Sequence, residues 1–312
     1  MTTSNRAAET FPGGQRARRL LPDHPLSSTV RVEFGARSVR GASHEINEDH
    51  YLIVQLTRQQ DTIETSLPMT HARRFDEYGY AMVVADGVGD TGTGEVASRI
   101  DIETLSALAV HFGKWNLRVD DAIAQDIMDR AQRFYRDVDG TVTQLASGSE
   151  RPQTTLTAVF SAGNDMFFAH VGHSRAYLLR EGELLRLTRD HTLQARAAQA
   201  ANQRAGHAVP GSPLAEVNDY PRDVRHVLTN TIGMRGLIGP KIDLERFKLL
   251  DGDVVLVCTN GLTDVVDDVA IADLLSSAQS PAAQADALAS LAMTQGGEDD
   301  VTALVAHYHV PF

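Results

Sequence analysis

Acidic residues in this chain recur beside glycine, or in pairs, at the ends of short apolar runs. Tyr78-Gly-Tyr-Ala-Met-Val-Val-Ala-Asp-Gly-Val-Gly-Asp90 is apolar and β-branched until it stops at Asp86-Gly87. That is the pattern of a buried strand delivering a carboxylate to its end. Gly87, Gly89, Gly92 and Gly94 then leave the backbone free of side chains, so that its amides and carbonyls can approach a ligand closely. Three more stretches repeat the theme. Glu48-Asp49 leads into Tyr51-Leu-Ile-Val54, Val254-Val-Leu-Val-Cys258 ends at Thr259-Asn260-Gly261, and Asp299-Asp300 precedes Val301-Thr-Ala-Leu-Val305. Taken singly, each reads as a turn with a solvated acid. Taken together, they read as one cluster. Oxygen donors with no cysteine pair and no spaced histidine pair suit Mg²⁺ or Mn²⁺ better than Zn²⁺. Two such ions about 3.5–4 Å apart can generate a hydroxide nucleophile and stabilise phosphoryl charge in an in-line displacement. Residue types and spacing by themselves reach a metal-dependent hydrolase and no further.

The elements that would position these groups follow from periodicity. Val30-Arg-Val-Glu-Phe34 alternates like an edge strand. Val96, Ile100 and Leu108 share one helical face, and Ile123, Ile127, Ala131, Phe134 and Val138 share another, with a break near Gly113-Lys-Trp-Asn. They predict two amphipathic helices covering a sheet. Thr155 to Phe160, Met166 to Val171 and Arg175 to Arg180 are strands joined by short turns at Gly163-Asn-Asp165 and Gly172-His-Ser174, which predicts an antiparallel meander. Leu193 to Arg204 reads as a helix inside an Ala-, Gln- and Arg-rich flap spanning about 190–225, and Val224 to Leu228 and Leu244 to Leu249 read as further strands. Leu274, Leu275 and Ala278 lie on a short helix, and Ser280-Pro281 opens another. Helices and antiparallel strands in separate runs give an α+β class.

Composition narrows the function. The chain has 312 residues, 42% of them hydrophobic, enough for one large core. Its net charge of −12 argues against binding nucleic acid. The single cysteine, Cys258, sits in an apolar run, so no intramolecular disulfide is expected. No apolar stretch approaches the roughly 20 residues that span a bilayer, and the arginine-containing first 28 residues read as a flexible tail without a signal sequence, so a cytoplasmic protein with no membrane contact is expected. Gly172-His-Ser-Arg-Ala176 imitates the nucleophile elbow of serine hydrolases, but a strand rather than a helix follows Ser174.

The ordered motifs Gly41…Asn47-Glu-Asp49, Val84-Ala-Asp-Gly-Val-Gly89, Thr154-Thr-Leu-Thr157, Val171-Gly-His-Ser-Arg-Ala-Tyr177, Asp251-Gly-Asp253, Cys258-Thr-Asn-Gly-Leu-Thr-Asp264 and Glu298-Asp-Asp-Val-Thr302 resemble the PPM-type (type 2C) metal-dependent Ser/Thr protein phosphatases. The resemblance covers residues 29–310 as a single domain. It implies a four-layer αββα sandwich, with the metal centre in a cleft at one end of two antiparallel sheets. It implies that Asp86 bridges two Mn²⁺ or Mg²⁺ ions, that Gly87 offers its carbonyl, that Asp299 binds one ion, and that Glu48 and Asp49 hold metal-bound water. The expected partner is a phosphoprotein, whose phosphate leaves by attack of a metal-bound hydroxide, in opposition to a Ser/Thr kinase; a monomer is expected.

Three positions depart from the family pattern. His44 stands where an arginine usually grips the substrate phosphate, and imidazole lacks the bidentate fork of guanidinium. His173 replaces an aspartate that in bacterial members holds a third, weaker ion, which leaves a third ion open here. Asn260 replaces a metal-ligating aspartate and removes one negative charge from the site, while a neighbouring histidine favours Mn²⁺ over Mg²⁺. These changes keep alive a second reading, a weakly active or inactive pseudophosphatase that serves as a regulatory binding module. Asp300 reads as either solvated or a supporting group.

Overall fold

The computed structural model describes residues 26–66, 75–89, 93–111, 117–145, 151–204, 226–234 and 239–311. Most of the expected tail, 1–25, the break near Gly113 and the flap residues 205–225 lie outside the described residues. After a short 3-10 turn at Leu26–Ser28, the chain forms β1 (Arg31–Val39), β2 (Asp49–Gln60) and β3 (Phe75–Val88). Helices α1 (Thr93–His111) and α2 (Asp121–Gln144) follow, then β4 (Gln153–Ala162), β5 (Asp165–Val171), β6 (Arg175–Arg180), β7 (Glu183–Arg186) and α3 (Leu193–Arg204). The last elements are β8 (Asp243–Lys248), β9 (Val254–Cys258), the one-turn α4 (Asn260–Thr263), α5 (Asp268–Leu275), α6 (Pro281–Thr294) and β10 (Val301–His309).

The strands form two five-stranded sheets, ordered β1-β10-β9-β6-β7 and β2-β3-β4-β5-β8, with antiparallel pairing throughout. Period-two alternation divides the side chains among layers. On β9, Val255 and Val257 face the other sheet beside Met82, Val84 and Leu304. Val254, Leu256 and Cys258 face the opposite way, onto Ile271, Leu275 and Leu288 of α5 and α6. On β3, Val83 and Ala85 turn outward to Ala97, Tyr135 and Val138 of α1 and α2. The expected αββα sandwich is therefore present, as helix, sheet, sheet, helix. Strands at the centre of this sandwich bury both faces, which is why their sequences read as continuous apolar runs.

Helix starts are chemically marked. The carboxylate of Asp120 accepts the Ile123 amide at the start of α2, Asp267 accepts from Ala270 before α5, and Ser280 caps α6 ahead of Pro281. Cys258 is fully buried, as expected.

Three local expectations change. The segment at Tyr51 is a strand of 12 residues rather than a short one. Described residues 226–228 form no strand, only an isolated bridge from Thr192 to Leu228. The block from β4 to β6 is not one meander, because β5 pairs with β4 and β8 whereas β6 pairs with β7 and β9 in the other sheet. Gly172-His173-Ser174 is thus a crossing between sheets. Gly172 has φ 117°, and a Cβ on it would lie 2.4 Å from Thr155 Cβ, so only glycine fits. Sequence periodicity identifies strands but not which sheet each one joins.

Candidate metal centre

One pole of the sandwich gathers the start of β2, the end of β3, the crossing at 172–174, the end of β9 and the start of β10. Asp49 and Asp86 are direct cross-strand partners in β2 and β3. This pairing sets two carboxylates side by side, an arrangement that ordinarily destabilises a sheet. Asp49 Oδ2 accepts hydrogen bonds from Thr259 Oγ1 (2.8 Å), just past the end of β9, and from Thr302 Oγ1 (2.7 Å) of β10. Asp86 has no such partner: its Oδ2 is buried and unpaired. Burial, followed by the charges of Asp49, Asp299, Asp264 and Asp300, pushes the Asp86 carboxyl well above its ordinary range. Burial raises Asp49 as well, against the two threonine hydrogen bonds.

Glu48 is fixed mainly through its backbone. Its carbonyl accepts from the Gly87 amide (3.2 Å) and from Ser98 Oγ (2.5 Å), so β3 and α1 hold it from two sides. A Cβ on Gly94 would sit 2.4 Å from Glu48 Oε2, and one on Gly87 would sit 2.3 Å from the Gly94 carbonyl carbon. The glycine run seen in the sequence therefore lets α1 start directly against the strand end.

At the end of β9, Asn260 Nδ2 donates to Asp299 Oδ2 and Asp264 Oδ2, each at 3.0 Å, while Asn260 Oδ1 is buried without a partner. His173 Nδ1 is likewise buried and unpaired, 3.6 Å from Asp86 Oδ2. Burial brings the His173 imidazole down to about 4, so it is neutral near pH 7 and has a lone pair to offer. His44 Nδ1 hydrogen-bonds to Asp300 Oδ2 (2.9 Å) and lies 3.7 Å from Asp299 Oδ1. Burial lowers the pKa of His44, but its bond to Asp300 and the charges of Asp300, Asp299 and Glu48 outweigh that, and the net shift is upward.

The structure thus brings together all eight residues singled out from the sequence: His44, Glu48, Asp49, Asp86, Gly87, His173, Asn260 and Asp299. It also adds Asp264, Thr259 and Thr302, which sequence reasoning passed over, and decides Asp300 in favour of a supporting group. Asp300 is buried rather than solvated: it accepts from the amides of Gly41 and Glu48, both at 2.7 Å, as well as from His44. It shapes the whole 41–48 loop. Asp264, which follows α4, joins the cluster through Asn260 and lies 3.4 Å from His226 Nδ1. Its spacing of four from Asn260, one helical turn, was the available signal. Thr259 and Thr302 gave no signal, because nothing in a threonine forecasts a carboxylate partner more than 200 residues away.

Six carboxylates, Glu48, Asp49, Asp86, Asp264, Asp299 and Asp300, thus share one pole, and among the described residues their only ion-pair partners are histidines. Buried charge of one sign demands a counter-charge. Three unpaired lone-pair atoms, Asp86 Oδ2, Asn260 Oδ1 and His173 Nδ1, supply a predominantly oxygen donor set for a hard or borderline divalent cation.

A sequence model of the family Protein phosphatase 2C matches residues 55–294. The chain belongs to that family. Among its relatives, the serine/threonine protein phosphatase PstP of Mycobacterium tuberculosis is 32% identical over 230 residues, covering 72% of this chain and 40% of PstP. The chain therefore spans about two fifths of the length of those mycobacterial relatives. The serine/threonine phosphatase stp of Listeria monocytogenes is 28% identical over 230 residues, covering 72% of this chain and 82% of stp. The crystal structure of M. tuberculosis PstP superposes with a TM-score of 0.63 at 27% identity, covering 88% of this chain and 98% of that one. The catalytic domain of PstP in complex with two manganese ions gives 0.62 at 26% identity, covering 90% and 99%. These neighbours share the two-sheet sandwich of the phosphatase 2C fold.

Proposed function

We propose that this protein is a metal-dependent Ser/Thr protein phosphatase that hydrolyses phosphomonoesters of phosphoproteins at the Asp86 pole, within one domain of about 29–310. The observation that carries the reading is the cluster of six carboxylates with three unpaired donor atoms in a protein of the phosphatase 2C family. The fit supports two Mn²⁺ or Mg²⁺ ions held by Asp86, the Gly87 carbonyl, Asp299 and Asn260, with His173 as an added ligand or the site of a third ion. Such ions, when bound, neutralise phosphoryl charge and acidify water. The protein's own groups do the rest. Thr259 and Thr302 hold the Asp49 carboxylate in one orientation, and Asp300 and Ser98 hold the Glu48 backbone, which places both acids to orient water at the site. His44, with Nδ1 committed to Asp300, keeps Nε2 to donate to a phosphate oxygen.

The same reading makes a Ser/Thr kinase the opposing enzyme and the working form a cytoplasmic monomer. No described helix is long and apolar enough to cross a membrane, which is consistent with that location. Hydrolysis of p-nitrophenyl phosphate that depends on Mn²⁺ and collapses in Asp86→Ala tests the activity.

One observation favours the pseudophosphatase reading. The Asn260 amide holds Asp264 and Asp299 together by hydrogen bonds, which is part of the work a cation would do. The double variant Asn260→Asp/His44→Arg separates the two. A silent scaffold gains activity on reversion, whereas an adapted enzyme already matches or exceeds it.

A further inference from the structure

Behind the 172–174 crossing lies a second cavity of about 380 Å³, lined by Arg189, His191, Arg196, Asn230, Lys241 and Asp243 among others. It shares a wall with the metal centre. The His191 amide donates to the Gly172 carbonyl (2.7 Å) and the Gly172 amide donates to His191 Nδ1 (3.1 Å), one residue from His173. Asn230 Nδ2 also donates to His191 Nδ1 (2.9 Å), so Nε2 carries the proton and points it at Asp243 Oδ2 (3.2 Å).

The charged groups sort into committed and uncommitted ones. Asp190 is held by Arg175 through two hydrogen bonds and by Arg186. Asp243 is held by His191 and by Lys241 at 3.4 Å. The guanidiniums of Arg189 and Arg196 are exposed, line the cavity, and have no carboxylate partner among the described residues. Their backbones are pinned: the Arg189 carbonyl hydrogen-bonds to His170 Nε2 (3.0 Å), and the Arg196 amide donates to the Thr192 carbonyl (3.1 Å). Two guanidiniums without a carboxylate partner, carried on held backbone and lining one cavity, suit an oxyanion.

We propose that Arg189 and Arg196 form a phosphate-binding subsite beside the metal centre, which takes a second phosphate group carried by the substrate or free phosphate. The choice of phosphate over carboxylate rests on the phosphatase reading of the neighbouring site. A subsite of this kind makes the protein prefer substrates phosphorylated at two nearby positions.

The test uses the full chain and two threonine peptides of one sequence, one singly and one doubly phosphorylated. With Mn²⁺, the doubly phosphorylated peptide should show a KM at least about tenfold lower, as expected for one charge-assisted phosphate contact worth about 1.4 kcal/mol. Arg189→Ala/Arg196→Ala should erase that difference while leaving p-nitrophenyl phosphate turnover intact, and Arg189→Lys/Arg196→Lys should keep part of it. In chelator, calorimetry reports the subsite without turnover, so a protein that binds the doubly phosphorylated peptide but hydrolyses nothing refutes the enzyme and not the subsite. Inorganic phosphate that binds wild type but not the alanine variant, with no peptide preference, assigns the subsite to free phosphate. Equal binding of both peptides and of phosphate by wild type and alanine variant overturns the proposal, as does a parallel loss of p-nitrophenyl phosphate turnover.

Discussion

Two polar clusters flank the 172–174 crossing, and they are built on opposite terms. On one side Arg175, Asp190, Arg186, Thr157, His170, His191 and Asp243 form a closed network. Arg175 grips Asp190 in a bidentate pair, His170 bonds to Thr157 Oγ1 (2.8 Å) and to the Arg189 carbonyl, and His191 bonds to Asp243. None of these side chains is among the buried unpaired groups. On the other side Asp86, His173 and Asn260 each keep a buried atom unpaired. Proton equilibria report the same contrast. Burial raises Asp190, but Arg175 and Arg186 more than reverse it and hold the carboxyl below its usual range, whereas burial and neighbouring acids drive Asp86 upward. Asp101 on α1 is also buried with both oxygens unpaired, yet it stands alone beside Asp139 rather than in a convergent set. A single unpaired group is a local stability cost. Several converging on one point mark a site that is completed from outside.

That contrast is most sharply broken by exchanging the roles of the two clusters. Asp86→Ala should lower p-nitrophenyl phosphate turnover by more than the roughly 100-fold typical of outer-sphere metal residues, while its urea midpoint in chelator stays at or above that of wild type, because a buried unpaired charge has gone. Asp190→Ala should do the reverse. It leaves Arg175 buried without its partner and costs roughly 3–5 kcal/mol in urea unfolding, with Mn²⁺ affinity of the folded fraction preserved. Loss of metal affinity in Asp190→Ala with stability intact would erase the distinction.

A smaller effect is linkage. Saturating Mn²⁺ should stabilise wild type by about 2.7 kcal/mol at a concentration 100 times the dissociation constant, and should leave Asp86→Asn unmoved in a thermal melt. The smallest is the acid limb of stability. His170 is fully buried and its imidazole is brought down to about 3 from an ordinary 6.5, by burial first and then by His191. The unfolded chain therefore takes up a proton that the native state refuses, so this contribution is complete above about 6.5 and is lost as pH falls from there towards about 3. Replacing His170 with Gln, and following unfolding free energy against pH, should flatten that part of the curve. An unchanged slope would mean that His170 titrates normally in the fold.

Much of this was legible in the sequence, for particular reasons. The strands β3, β9 and β10 announced themselves as apolar runs because both of their faces are buried, and the acids at their ends stood out against that background. The family pattern supplied the order of the layers, and the Leu193–Arg204 helix matched its sequence boundaries. Which sheet β6 joins was not legible, because a three-residue connection fits a hairpin as well as a crossing, and only the fit of Gly172 against Thr155 separates them. The supporting groups were hidden for a similar reason. Asp300 read as either a solvated acid or a supporting group, and only burial and three donors make it the anchor of the 41–48 loop, while Thr259 and Thr302 reveal themselves only once the sheets face each other. A site's ligands are marked by unusual residues at strand ends, whereas the groups that aim them are ordinary residues in tertiary contact.

The most direct test of the central claim is a calorimetric titration of the full chain with Mn²⁺, run beside p-nitrophenyl phosphate hydrolysis on the same samples of wild type and Asp86→Ala. The geometry predicts a binding heat and Mn²⁺-dependent turnover in wild type, both absent in Asp86→Ala. A silent wild-type titration, or turnover that survives loss of Asp86, would contradict it.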